Sequence, residues 1–190
     1  MLTITAIAFV SLTAVIWVFG TVTLDQQAFE TIIELATPGV VRVMKVVNYA
    51  GEKLVLIPAM VVLYVVFRRA RRQWWIWAAL MVAARIAERL VKLAVGRARP
   101  MGEGFAFPSG HVTAAAAYFG TVFYLAGSLS SPLRVTIRAA ALATIVLVAL
   151  ARIVLRAHWP SDTLAGAALG LALASSAALA ASAQVRAVEG

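Results

Sequence analysis

Three stretches of this chain are long, apolar and free of charge, and that limits what it can fold into more than any other feature. Residues 1–24, 104–133 and 163–185 contain no Lys, Arg, Asp or Glu. Each exceeds the roughly 20 residues that cross a hydrocarbon core as a helix. Inside a bilayer the backbone must satisfy its own hydrogen bonds, which a helix does within one segment. Composition agrees: 63% of the 190 residues are hydrophobic and 13% are charged, about half the charged share of a soluble domain. The chain reads as an integral membrane protein of the all-α class.

Six spans can be placed, over about residues 2–22, 46–67, 74–95, 111–129, 135–155 and 161–183. The first lacks the basic start and small-residue cleavage site of a signal peptide and is taken as a retained helix. Between the first two spans, Phe29, Ile32, Ile33 and Ala36 recur at helical spacing, with Asp25, Glu30 and Glu34 elsewhere. That pattern predicts a short amphipathic helix at the membrane interface over 25–36. Arg68, Arg69, Arg71 and Arg72, followed by Trp74, Trp75 and Trp77, mark a cytoplasmic boundary by the positive-inside rule and the aromatic belt. Arg134 and Arg138 fall on the same side. Alternation then puts both termini in the cytoplasm, and the loops after the first, third and fifth spans outside. Short connections take up the rest, so residues 1–190 form one domain.

Several chemistries are excluded early. With no cysteine, there is no disulfide framework, thiolate nucleophile or Cys-based metal site. The net charge of +9 does not point to nucleic acid, since no basic run is interleaved with aromatics as a binding platform. Some cations orient the chain, and the others need a local reason. Lys92, Arg97 and Arg99 gather at the outer end of the third span, and Arg152 and Arg156 at the outer end of the fifth. Both histidines, His111 and His158, lie at that level, as does Asp162. Cations on the wrong side for topology point to an anionic ligand at the outer membrane surface.

The motifs have a physical logic. Lys92 and Arg99 can bring two positive charges to one phosphate, the arginine through a bidentate fork. Pro108-Ser109-Gly110-His111 leads straight into the fourth span, where a Ser hydroxyl and backbone N–H groups can bind an oxyanion at a helix N-terminus. His158 and Asp162 stand four apart with Pro160 near the first helical turn. A carboxylate there can hold one imidazole nitrogen and leave the other free to attack.

Taken together, Lys92 with Arg99-Pro100, Pro108-Ser109-Gly110-His111, and Arg152 with His158 and Asp162 resemble the motifs of the type-2 phosphatidic acid phosphatase family. The resemblance implies a six-helix membrane bundle that hydrolyses lipid phosphates. His158 is then the nucleophile that forms a phosphohistidine. Asp162 orients it, and His111 protonates the leaving oxygen and later helps to deprotonate water. Lys92, Arg99, Ser109, Gly110 and Arg152 hold the phosphoryl oxygens, with no metal and no cofactor. One departure stands out: Ala151 occupies the position before Arg152 where the family usually has Ser, a loss of about 1 kcal/mol if one hydrogen bond is uncompensated. Arg97 and Arg156 fall outside the motif positions and are expected either to hold a second phosphate or headgroup or to snorkel. Arg85, Glu88 and Arg89 share a face with Lys92 and are expected to pair inside the bundle.

The expected partners are a lipid phosphate substrate and membrane lipids, with no nucleic acid and the oligomeric state open. Undecaprenyl pyrophosphate is the first substrate choice. Phosphatidylglycerol phosphate, phosphatidic acid and diacylglycerol pyrophosphate are alternatives. The expected location is the cell membrane, with the site facing outward. A transporter would have its charges along the midplane instead of at one surface. A non-catalytic lipid-binding protein would be favoured by loss of His158, His111 or Asp162, and all three are present.

Overall fold

The computed structural model describes residues 1–189; the last residue of the expected 1–190 domain lies outside the described residues. Among the described residues there are nine α-helices, two 3₁₀ turns and no strand beyond an isolated bridge between Ala98 and Phe105. Local chemistry sets the helix ends. α1 (Leu2–Phe19) is uncharged and buries Ile16 alone, so its outer faces are apolar on nearly every side, as a lipid-facing helix requires. α3 (Pro38–Asn48) begins with proline behind Thr37, whose hydroxyl accepts the Val40 N–H at 3.3 Å. That is an N-cap with proline where its missing N–H is harmless. α6 (Trp74–Val95) ends at Gly96, at φ 63, whose N–H returns to the Lys92 carbonyl at 3.1 Å. The left-handed backbone there favours glycine.

α1, α8 (Ser131–Val154) and α9 (Pro160–Glu189) are each long and apolar enough to cross a membrane. A fourth crossing is available if α3 and α4 (Lys53–Val66) form one broken span. This corrects the expectation of one continuous second span over 46–67. The chain breaks at the 3₁₀ turn Tyr49–Gly51, and the two helices meet at 55°. Packing explains the break. A Cβ on Gly51 would lie 2.8 Å from the His111 carbonyl oxygen and 3.0 Å from Val148 Cγ1, so bare backbone is pressed onto the bundle at this point. α5 (Arg68–Arg72) then carries the basic cluster into α6.

α7 (Gly110–Leu125) is the central helix, packed on by α9, α8, α6 and α4. Val112, Ala115, Ala116 and Ala117 on it are fully enclosed. Its approach to α9 depends on small residues, which let backbones come close in membrane proteins. A Cβ on Gly170 would lie 2.5 Å from the Thr113 carbonyl oxygen and 2.6 Å from Ala116 Cβ. α2 (Thr23–Glu34) matches the expected short helix, but it docks onto α8 and α9, with Phe29 tilted against Trp159 at 5.1 Å between ring centroids. Asp25, read as part of its polar face, is only 5% exposed.

The α7–α9 contact gives a stability prediction. Gly170→Ala overpacks it and should destabilise the protein by about 1–3 kcal/mol, read as a lower melting temperature in detergent. Gly39→Ala, on α3 with only Thr37 Oγ1 within reach at 3.8 Å, should not.

Candidate active site

Six pieces of chain converge at one end of the bundle. The last turn of α6 supplies Lys92, and the following loop supplies Arg97, Arg99 and Ser109. The first turn of α7 supplies Gly110 and His111, and the last turn of α8 supplies Arg152. His158 lies in the loop after α8, and Asp162 in the first turn of α9. Lys92, Arg99, Gly110, His111, Arg152 and His158 all line one cavity of about 920 Å³. Ser109 and Asp162 sit just behind its wall, both 0% exposed. All eight residues singled out in the sequence thus lie at one place.

The histidine–carboxylate pair has the expected order. Asp162 Oδ2 faces His158 Nδ1 at 3.5 Å and also accepts the Trp159 N–H at 2.8 Å. His158 is 2% exposed. Burial pushes its pKa below the ordinary imidazole value, against the opposing pull of Asp162, so it is neutral and able to attack at neutral pH. Ser109 begins α7 without capping it: its buried hydroxyl has no partner among the described residues. Its backbone N–H donates to the Asp162 carbonyl at 2.9 Å, tying the second motif to the third. Gly110 brings bare backbone close to Glu88: a Cβ there would sit 2.9 Å from its carboxylate, which would have to shift.

Carboxylates and an amide orient the cations. Glu88, 2% exposed, pairs with Lys92 and holds Arg85 at 2.8 Å, so the expected pairing along α6 forms with Arg85 and Glu88. Arg152 Nη1 donates to Asn48 Oδ1 at 2.8 Å, and Asn48 Nδ2 donates to Glu52 Oε1 at 3.0 Å. The same Glu52 oxygen lies 3.8 Å from His111 Nε2. Sequence reasoning missed Asn48 and Glu52. They carried no sequence signal of their own, since the helix break beside them is a tertiary feature. Arg99 donates from Nε to the Phe105 carbonyl at 3.4 Å, a bond that does not use its two Nη groups.

One expectation needs revision. Arg97 neither snorkels nor waits for a second phosphate: it is 6% exposed and bound to Asp25 and Asp162 behind the cavity. Arg156 is exposed, sits at φ 55 in the turn after α8, and does not line the cavity. Ala151 is fully buried on α8 beside Arg152. Among the described residues no group of three His, Asp or Glu side chains is placed to hold a metal ion.

The fold and this site define an all-helical membrane protein with a basic cavity lined by both of the chain's histidines. Residues 94–186 match the PAP2 superfamily. The same fold occurs in the crystal structure of the first transmembrane PAP2 type phosphatidylglycerolphosphate phosphatase from Bacillus subtilis. That chain is 26% identical, with a TM-score of 0.78 and 93% of each chain covered. The Aquifex aeolicus LpxE structure matches at 19% identity and a TM-score of 0.70, covering 84% of this chain and 97% of that one. No curated protein sequence matches it significantly.

A pH effect follows from the burial of His158. Its folded pKa lies below the unfolded value of about 6.5. Below that pH the unfolded chain takes up a proton that the folded site resists, so stability falls as pH falls. The melting temperature in detergent should drop between about pH 7 and pH 5, more steeply for the wild type than for His158→Gln. Equal slopes would mean that His158 does not titrate in that range.

Proposed function

We propose that this protein hydrolyses a lipid phosphate or pyrophosphate monoester at the outer face of the cell membrane, through a phosphohistidine on His158. The carrying observation is the shape of the cavity. Its polar end is lined by His158, His111, Lys92, Arg99 and Arg152, and its other end by apolar side chains of α4 and α6, among them Ile57, Met60, Met81 and Val82. From Leu54 to Tyr64, α4 rises about 15 Å along this wall. A phosphate headgroup fits one end and the first part of an acyl or polyprenyl chain the other. Leu54, Ile57, Val82 and Ile86 are also exposed on the outside, which suits sideways entry from the bilayer between α4 and α6.

The chemistry follows from the placement. The lone pair of His158 Nε2 attacks phosphorus in line, and the P–O bond to the lipid breaks as His111 protonates the departing oxygen. Asp162 stabilises the positive charge that develops on His158. Lys92, Arg99 and Arg152, with the Ser109 hydroxyl and the N–H groups at the start of α7, stabilise the equatorial oxygens. His111 then takes a proton from the water that cleaves the P–N bond. Fixed cations do here what a metal does in other phosphatases.

We place six crossings at α1, the bent α3–α4 pair, α6, α7, α8 and α9, with both termini cytoplasmic. The four charges along α6 and the shortness of α7 leave those two as spans only inside a bundle. Undecaprenyl pyrophosphate is the preferred substrate, because a polyprenyl diphosphate suits an outward site served from the membrane. The Bacillus subtilis neighbour, by its own description a phosphatidylglycerolphosphate phosphatase, favours phosphatidylglycerol phosphate as the second choice.

Purified protein with EDTA should release phosphate from at least one of undecaprenyl pyrophosphate, phosphatidylglycerol phosphate, phosphatidic acid and diacylglycerol pyrophosphate. His158→Ala should abolish release while remaining folded, and orthovanadate should inhibit. Activity lost to EDTA and restored by Mg²⁺ would overturn the metal-free mechanism. Ala151→Ser should leave turnover within about tenfold, since one hydrogen bond is at stake.

A further inference from the structure

Behind the cavity lies a charged cluster of which the reaction as proposed uses Asp162 alone. Asp25, Arg97, Ser161 and Asp162 are each less than a tenth exposed. Arg97 Nη1 donates to Asp162 Oδ1 at 2.6 Å and to Ser161 Oγ at 2.7 Å, while Nη2 pairs with Asp25 Oδ2. Asp25 in turn accepts the Ser161 N–H at 2.9 Å and the Ser161 hydroxyl at 2.6 Å. The Trp159 ring lies 5.5 Å from the Arg97 guanidinium.

The cluster holds two carboxylates against one guanidinium, a net charge of minus one. A buried charge needs a partner, and the group facing it is His158, across the 3.5 Å gap from Asp162 Oδ2. From the other elements His158 is faced by Lys92 on α6, Arg152 on α8 and His111 on α7, none of them negative. The charge that balances a cationic, phosphorylated His158 therefore comes from Asp162. Arg97 alone would cancel it.

We propose that Asp25 is a positioning residue of the reaction: by taking up the charge of Arg97, it leaves the negative charge of Asp162 available to His158. Asp25 comes from α2, outside the 94–186 segment that carries the PAP2 match, so this chain completes its site with a residue far from its motifs. The inference rests on the phosphatase reading above.

The test is steady-state hydrolysis of the best lipid substrate, with the melting temperature of each variant as a folding check. Asp25→Asn keeps the shape and removes the charge. Its kcat should fall about tenfold or more, the equivalent of one pKa unit of charge stabilisation. KM and vanadate inhibition should hold, because none of the cluster lines the cavity. The double variant Asp25→Asn/Arg97→Gln removes one charge of each sign, restores the net minus one, and should raise kcat above that of Asp25→Asn, back toward wild type. A purely structural staple predicts the reverse, with the double variant worse than the single. An unchanged kcat in Asp25→Asn, or a thousandfold loss in the folded double variant, would overturn the proposal. The double variant decides the question alone if Asp25→Asn does not fold. A wild type that releases no phosphate would refute the phosphatase reading itself, an outcome separate from an active wild type beside an unaffected Asp25→Asn.

Discussion

The site depends on how closely the start of α9 is held to the start of α7. The Ser109 N–H bonds the Asp162 carbonyl, and a Cβ on Gly166 would lie 2.7 Å from the Ser109 carbonyl oxygen. That contact brings two motifs about 50 residues apart together, so Gly110 and His111 line the same cavity as His158. One turn further along, Gly170 and the run of alanines on α7 let the helices stay in register down the bundle. In lipid, where burial of apolar surface drives little helix association, backbone proximity of this kind is what holds helices together.

Charge is arranged in two layers around that contact. On the cavity side, Lys92, Arg99 and Arg152 form a cationic shell, with Lys92 and Arg152 steadied by Glu88 and Asn48. Behind it, Asp25, Arg97 and Asp162 form a buried layer of net negative charge. His158 lies between them, neutral by burial and facing an anion on one side and cations on the other. A phosphate in the cavity and a positive charge on His158 are each met by the layer of opposite sign. On the proposed reaction, groups set up in this way need little rearrangement.

Much of this was legible in the sequence because it is local. Uncharged runs gave the membrane class, and the motif residues, grouped in three short stretches, all arrive in or just behind one cavity. The predicted ends of α6 match the structure, since the Trp cluster opens it and Gly96 closes it. What the sequence hid is long-range. Nothing near Asp25 announces a partner 72 residues away, so it read as part of a polar helix face. Asn48 and Glu52 carried no sequence signal of their own, because the 55° break beside them comes from packing against His111. Arg97 looked free for the same reason. Its two carboxylate partners come from α2 and α9 and meet only in the folded bundle.

Trapping the covalent intermediate tests the central claim most directly. Purified protein mixed with a ³²P-labelled lipid phosphate and quenched in alkali should carry label that is stable to base and released by acid, as a phosphoramidate is. The label should map to the peptide containing His158 and be absent from His158→Ala. Label that survives acid, as on Ser109, or steady turnover by His158→Ala, would contradict the account.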